Sequence, residues 1–192
     1  KKTALYNEKR KYICDTNIFK EINGYPFIYW IKDEIADLLV NGEKISKYIS
    51  VKTGMNTGDN AKFLKFSWEI SNTSNRYKNY VKGGGSIQYI GINNVKILWD
   101  EDEIRKTPGS AIRNKQYYFL EGLTFSGVNS KRFSVRHLPE GYIFDSGGSF
   151  IHVKDKDDIL YFLGLLNSKF INYILKLLNP TINFKNSDIH RL

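Results

Sequence analysis

The sequence predicts an α+β chain: a twisted, mostly antiparallel sheet with long loops, preceded by an amphipathic helix and braced by a C-terminal helix pair. Three observations predict it. From about Ile45 to Val153, short β-branched and aromatic runs alternate with Gly, Asn and Ser, the punctuation of strands and turns. Ahead of that region Ile31, Ile35, Leu38 and Leu39 recur at helical spacing. Beyond Lys156 the apolar residues again take helical spacing, in two runs.

Taken in order, the chain is polar and mixed to about Asn23, and then reads Gly24-Tyr25-Pro26-Phe27-Ile28-Tyr29-Trp30. Pro26 favours an extended Tyr25, so this aromatic stretch is expected to be extended. Lys32, Asp33, Glu34 and Asp37 form the polar face of the helix that follows, and Asn41-Gly42 stops it. Residues 1–44 are therefore expected to form a connecting segment and 45–192 a second domain.

Strands are expected at Tyr48–Val51, Phe63–Ile70, Ile87–Ile90, Lys96–Trp99, Tyr117–Leu120, Leu123–Phe125, Phe133–Leu138, Tyr142–Phe144 and Phe150–Val153. Glycine-rich turns stand at 54–60, 83–85, 108–110 and 146–148. Ile159–Leu166 is almost wholly apolar, and Phe170, Ile171, Ile174, Leu175 and Leu178 resume the period. Asp155 or Asp157 is expected to cap the first helix and Ser168 the second. Asn179-Pro180 ends the pair. Asn167, Ser168 and Lys169 interrupt the apolar run well short of the ~20 residues of a membrane span. A helix pair packed on the sheet is expected instead.

With 41% hydrophobic residues among 192, the chain can bury a core, and its 26% charged residues are ordinary. One cysteine, Cys14, forms no internal disulfide, which suits a reducing, cytoplasmic setting. The chain does not begin with Met, and it reads as a segment of a longer protein.

The net charge of +9 is unevenly spread. Between Ile104 and Arg136 lie Arg105, Lys106, Arg113, Lys115, Lys131, Arg132 and Arg136, with Glu121 the one acid. Between Ala61 and Lys96 lie Lys62, Lys65, Arg76, Lys78, Lys82 and Lys96, opposed by Glu69 alone. Aromatics, among them Phe66, Trp68, Tyr89 and Tyr117, are interleaved with these cations. Cations and planar rings on Gly-rich turns suit phosphate contact with base or sugar packing. For any single aromatic, a place in the core is the simpler expectation.

Motifs for chemistry are sparse. The one Asn-Pro, Asn179-Pro180, continues as Thr181 rather than as the Pro-aromatic pair of amino-group methyltransferases. Lys82-Gly83-Gly84-Gly85-Ser86 lacks the strand–GxGxxG–helix setting of a nucleotide cradle. His137, His152 and His190 have no metal-ligand spacing. Asp100-Glu101-Asp102-Glu103 is expected to be a solvated turn. The loop Gly54-Met55-Asn56-Thr57-Gly58-Asp59-Asn60 offers backbone amides and short polar groups to nucleic acid. Its simpler reading is a tight connection held by Asx-type turns.

At these residues the sequence resembles the C-terminal region of PglX-like methyltransferases of BREX phage-defence systems and the related type IIG restriction–modification enzymes. The stretch GMNTGDNAKFLKFSWEI at 54–70 carries the opening signature. There follow KGGGSIQYIG (82–91), VKILWDEDEIRK (95–106), YYFLEGLTFS (117–126), FSVRHLPEGYIFDSGGSFI (133–151), LGLLNSKFINYIL (163–175) and LNPTINF (178–184). Their order and rough spacing agree over about residues 25–190. The chain departs from the pattern in two places. Gln88-Tyr89-Ile90-Gly91-Ile92-Asn93 replaces a Trp-Tyr-Gly-Asn stretch, and Lys65 replaces an Arg, giving up the bidentate fork.

The resemblance implies a target-recognition domain, TaqI-like or like the specificity subunits of type I restriction systems, where the LLNSKF helix belongs to the scaffold. It implies an adenine-specific parent enzyme using S-adenosylmethionine, with no catalytic residue, metal or cofactor in this chain. The expected partners are double-stranded DNA, the remainder of the methyltransferase and other defence-system subunits, with no membrane. Lys62, Lys65, Lys82, Arg113, Lys115, Lys131, Arg132 and Arg136 are the candidate phosphate contacts. Asn56, Thr57, Asn60, Gln88 and Asn114 are the candidate base contacts. The competing readings are a small nuclease and a protein-interaction module of a defence complex.

Overall fold

A computed structural model describes residues 17–22, 24–70 and 75–192. Cys14 and most of the polar opening stretch lie outside the described residues. The chain divides into two units at Lys44/Ile45.

In the first unit, α1 (Ile18–Glu21) is a single turn and α2 (Asp33–Asn41) is the helix expected from its periodicity. Ala36 and Leu39 are its buried residues, and Gly42 N–H ends it on Leu38 O at 2.9 Å. The aromatic stretch is not extended as expected. Tyr25 has φ +48°, and Tyr25 N–H closes a turn on Ile22 O at 3.0 Å. Rings then follow one another from Phe27 to Tyr29 to Trp30 at 5.7 and 4.9 Å. Local ring packing and the turn override the bias that Pro26 imposes.

The second unit is a mixed α+β structure. In chain order it comprises β1 (Ile49–Lys52), α3 (Asn60–Phe63), β2 (Leu64–Phe66), β3 (Tyr77–Val81), β4 (Tyr89–Ile90), β5 (Val95–Leu98), α4 (Glu101–Lys106), β6 (Gly122–Ser126), β7 (Val135–Leu138), β8 (Tyr142–Phe144), β9 (Gly148–Val153), α5 (Ile159–Asn167), α6 (Lys169–Leu178) and α7 (Asn186–His190). One sheet has the order β1-β9-β6-β7-β4 and the other β2-β5-β3-β8. Pairing is antiparallel except β4 with β7 and β3 with β8.

Alternation along the strands sorts the residues into two cores. Ile49, Val51, Leu123, Phe125, Val135, Ile151 and Val153 join Phe162, Leu163, Leu166, Ile171, Leu175 and Ile189 of the helices in one cluster. Phe150 and Leu138, from the opposite face of the same strands, join Tyr80, Ile97, Ile143 and Phe144 of the second sheet. Each fully buried side chain of this size contributes roughly 1.5–3 kcal/mol. The five-stranded sheet is thus covered on one face by helices and on the other by the second sheet.

Three expectations are corrected. The strand expected over Phe63–Ile70 is only β2, because Asp59 caps the turn of α3 and Ser67–Glu69 forms a 3-10 turn. Tyr117–Leu120 is not a strand: Lys115–Tyr117 is a 3-10 turn and Phe119 has φ +67°. Phe119 N–H instead reaches Tyr142 O at 2.8 Å, and Gly141 N–H reaches Phe119 O at 2.9 Å. Asp100–Glu103 is not a solvated turn but the N-cap and first turn of α4, Asp100 accepting from Glu103 N–H at 3.1 Å. Strand β3 and helix α7 were not expected. Among the described residues no helix is long and apolar enough to cross a membrane.

The helix pair forms where expected, hinged on one residue. Ser168 N–H closes α5 on Leu165 O at 3.0 Å, and its Oγ accepts from Ile171 N–H at 3.1 Å to open α6. Asp155 caps the 3-10 turn Lys156–Asp158 ahead of α5 rather than α5 itself.

Candidate nucleic-acid interface

The structure brings the candidate residues together as two groups, each with its own contact network. The first surrounds α4. Asn56 pairs backbone to backbone with Ala111 at 2.8 Å in both directions, and Asn114 Nδ2 donates to Thr53 O at 2.9 Å. Asn56 Oδ1 accepts from Gly58 N–H at 3.3 Å, and Thr57 Oγ donates to Asn60 Oδ1 at 2.8 Å. Thr57 is buried, so it does not present its hydroxyl to a base edge, and that expectation is corrected. The loop at 54–60 is the tight Asx-type connection.

Acids of α4 hold two of the candidate cations. Lys62 Nζ lies 2.9 Å from Glu103, and Lys115 Nζ lies 2.5 Å from Glu101. These pairs are partly exposed, and such pairs are worth about 0–1 kcal/mol. Arg113 is exposed, with no ion pair among the described residues.

The second group follows the loops between the sheets. Lys65 and Lys82 line one cleft with Phe66, Glu69 and Val95. Lys82 also opens the glycine run 83–85, which is tied to the loop after β6. Asn129 Nδ2 donates to Gly85 O at 2.9 Å, and Ser86 Oγ donates to Asn129 Oδ1 at 3.0 Å. Asn129 Oδ1 also accepts from Lys131 N–H at 3.0 Å, which presents Lys131 and Arg132, both exposed. These two line a cleft with Asn172 and Lys176 of α6. Gln88 Nε2 reaches Asn167 O at 3.4 Å.

Arg136 is the main correction. It is 1% exposed, and its guanidinium donates to Ile87 O at 3.1 Å and to Ser126 Oγ at 3.2 Å, with a 3.5 Å approach to Gly85 O. Burial lowers its pKa to about 10, still far above neutrality, so the charge stays. Arg136 holds the 84–87 loop on β7 and does not reach a phosphate at the surface. The loop must come close: a Cβ on Gly84 would lie 2.8 Å from Arg136 Cζ. The glycine motifs also meet one another, because a Cβ on Gly148 would lie 3.0 Å from Gly83 N. These glycines serve close backbone packing.

Asn167, in the sequence only a break in the apolar run, is a structural anchor. Its Oδ1 accepts from Val135 N–H at 2.9 Å, and its Nδ2 donates to Val135 O and Leu163 O, each at 2.9 Å. Its only signal was its place in the LLNSKF stretch. His137 pairs with Glu121 at 2.8 Å. Among the described residues no group of three or more His, Cys, Asp or Glu is placed to hold a metal ion.

Among the described residues the nine strands contain no Asp or Glu, and they carry Lys52, Lys65, Lys78, Lys96 and Arg136. Over 91% of its length the chain is 31% identical to a segment of the adenine-specific methyltransferase BrxX of Escherichia coli O9:H4 (strain HS). Over 95% it is 31% identical to a segment of the adenine-specific methyltransferase PglX of Lacticaseibacillus casei (strain Zhang).

The chain resembles part of an adenine-specific methyltransferase.

It spans 15% and 17% of the lengths of these two relatives. No family model matches it. Asn179, the one Asn-Pro asparagine, donates to Asn183 O at 2.7 Å and Asp188 Oδ2 at 2.6 Å, and it accepts from Thr181 N–H at 3.0 Å. Its amide is thus occupied in a turn.

Proposed function

We propose that this chain is the DNA-recognition part of an adenine-specific methyltransferase of a BREX-type or restriction–modification defence system. It fixes duplex DNA in register while a catalytic domain elsewhere in the parent protein binds S-adenosylmethionine and methylates an extruded adenine. The observation that carries this reading is the rim of cations formed by exposed Lys65, Lys131 and Arg132 with half-buried Lys82, on an acid-free sheet scaffold. Lys176 extends it, and Arg113 with the loosely paired Lys62 and Lys115 forms a second contact area. Cations placed this way neutralise phosphates and release counterions. Base reading falls to the exposed amides of Asn56 and Asn60 and to the half-buried Gln88 and Asn114.

The test is a titration of the chain with duplex DNA at several salt concentrations. Five phosphate contacts give a slope of log K against log salt of about −4 to −5. A slope near zero overturns the reading and favours a protein-interaction module.

A further inference from the structure

Resting on the DNA reading above, the geometry points to a groove beside β2 that binds one unstacked DNA nucleotide, with the base laid on Trp68 and its phosphate held by Lys65 and Lys82. The first observation is a ring pair. Phe66 and Trp68 stack at 4.5 Å between centroids and 5° between planes. Phe66 is 45% exposed and Trp68 69% exposed. A tryptophan that leaves most of its surface in water, on a protein with two apolar cores to fill, is an unusual placement.

The pair is also held rigidly. Phe66 N–H donates to Glu69 Oε2 at 2.6 Å, and Ser67 N–H donates to Asn94 O at 2.8 Å. Glu69 thus closes the 3-10 turn that carries Trp68 back on Phe66, and Ser67 anchors its first residue to Asn94, so less conformational entropy remains to be lost when a ring docks. Glu69 is the one acid of the groove, and its carboxylate is turned onto this backbone amide.

The second observation is charge. Lys65 of β2 stands directly opposite Lys96 of β5 in the antiparallel register. Like charges so placed destabilise a sheet, and the four strands of this sheet offer no acid. Lys96 is turned to Asn79 Oδ1 at 2.9 Å, a neutral acceptor that leaves the repulsion in place. An anion at this edge relieves it.

The third observation is continuity. The cleft of Lys65 and Phe66 shares Lys82 and Val95 with a neighbouring cleft that runs to Gly84, Asn93 and Asn94. One groove thus passes from the Phe66 ring, with Trp68 stacked against it, over Lys65 and Lys82, to side-chain amides. That is the sequence of chemistries along a nucleotide from base to phosphate to the next polar group. Within a duplex both faces of a base are covered by its neighbours, so stacking on Trp68 requires a base that has left the stack.

The experiment labels the intact chain with 5-fluorotryptophan and follows the fluorine resonances of Trp30, Trp68 and Trp99, assigned with Trp68→Phe. The probes are a single-stranded oligonucleotide, the matching perfect duplex and the same duplex with one unpaired base. The Trp68 resonance is expected to shift with the single strand and the bulged duplex, and Trp30 and Trp99 to stay in place. Trp68→Ala is expected to weaken binding of those two about tenfold, Trp68→Phe less, and perfect-duplex binding little. Two outcomes overturn the groove alone: DNA bound with a silent Trp68, or Trp68→Ala weakening all three DNAs equally. If the wild-type chain binds none of the three at low salt, the DNA reading itself falls, and the groove with it.

Discussion

Asn167 grips Val135 by both of its backbone groups, Oδ1 accepting from the N–H and Nδ2 donating to the carbonyl, each at 2.9 Å. The same Nδ2 reaches Leu163 O one helical turn back. One buried amide therefore joins α5 to β7 at the strand that leads into Arg136. Asn167→Ala leaves the N–H and the carbonyl of Val135 short of a partner in the interior, whereas Leu163 O keeps its helical bond. At about 1 kcal/mol or more for each unsatisfied group, a loss on the order of 2 kcal/mol is expected, read as a lower urea midpoint with an unchanged m-value.

Gly84 and Arg136 form a second coupled pair. A methyl group on Gly84 meets the guanidinium at 2.8 Å, and the guanidinium is buried and has little room to retreat. Gly84→Ala is expected to destabilise the fold by about 1–3 kcal/mol. In a double-mutant cycle with Arg136→Lys, whose end is narrower, the two losses are expected to fall short of additive by more than about 0.5 kcal/mol. Strict additivity, measured by chemical denaturation, contradicts the contact.

The cations are predicted to divide by their partners. Replacing exposed Lys131 and Arg132 by Ala is expected to reduce the salt slope of DNA binding by about 1.8 and to weaken all sequences alike. Replacing Lys62 and Lys115, already paired with Glu103 and Glu101, is expected to change it less, because each must first leave a carboxylate. Fluorescence anisotropy over a salt series measures both.

Stability is predicted to fall in mild acid. His190 Nε2 accepts from Val51 N–H at 3.2 Å on the edge strand β1, a role that only the neutral ring fills. Burial, then Lys52, lowers its pKa below 6.5. Burial, then Lys52 and Lys154, does the same for His152. As pH drops through about 6.5 the unfolded chain takes up protons that the folded chain refuses. The stability is present above that pH and lost as pH falls toward the folded values. A lower melting temperature at about pH 5.5 than at about pH 7.5 is expected, with a flatter profile for His190→Gln, which keeps an acceptor without titrating.

Much of the fold was legible because its signals are local. The period of Ile31, Ile35, Leu38 and Leu39 appears as α2, and the break at Ser168 as the hinge of the helix pair. Strands β6 and β9 stood out by their β-branched and aromatic residues, and the alternation of β9 serves both cores. Strand β3 was not legible: Tyr77-Lys78-Asn79 reads as polar loop, and only its pairing with β5 and β8 makes it a strand. Thr57 shows the same limit, since nothing in a Gly-, Asn- and Thr-rich loop reveals that the threonine is the member turned inward.

The sequence by itself determined the classes of element and the surplus of cations over acids in the β region, because periodicity and composition are properties of neighbouring residues. The tertiary structure alone decided which cations meet water. Arg132 and Arg136 are four residues apart, yet one is exposed and the other is sealed beneath Gly85 and Ile87, about fifty residues earlier in the chain. It also set Gly83 against Gly148, Lys62 against Glu103, and Lys65 opposite Lys96. Each of these depends on strand register and on what packs over a site, and both are fixed only when distant segments meet.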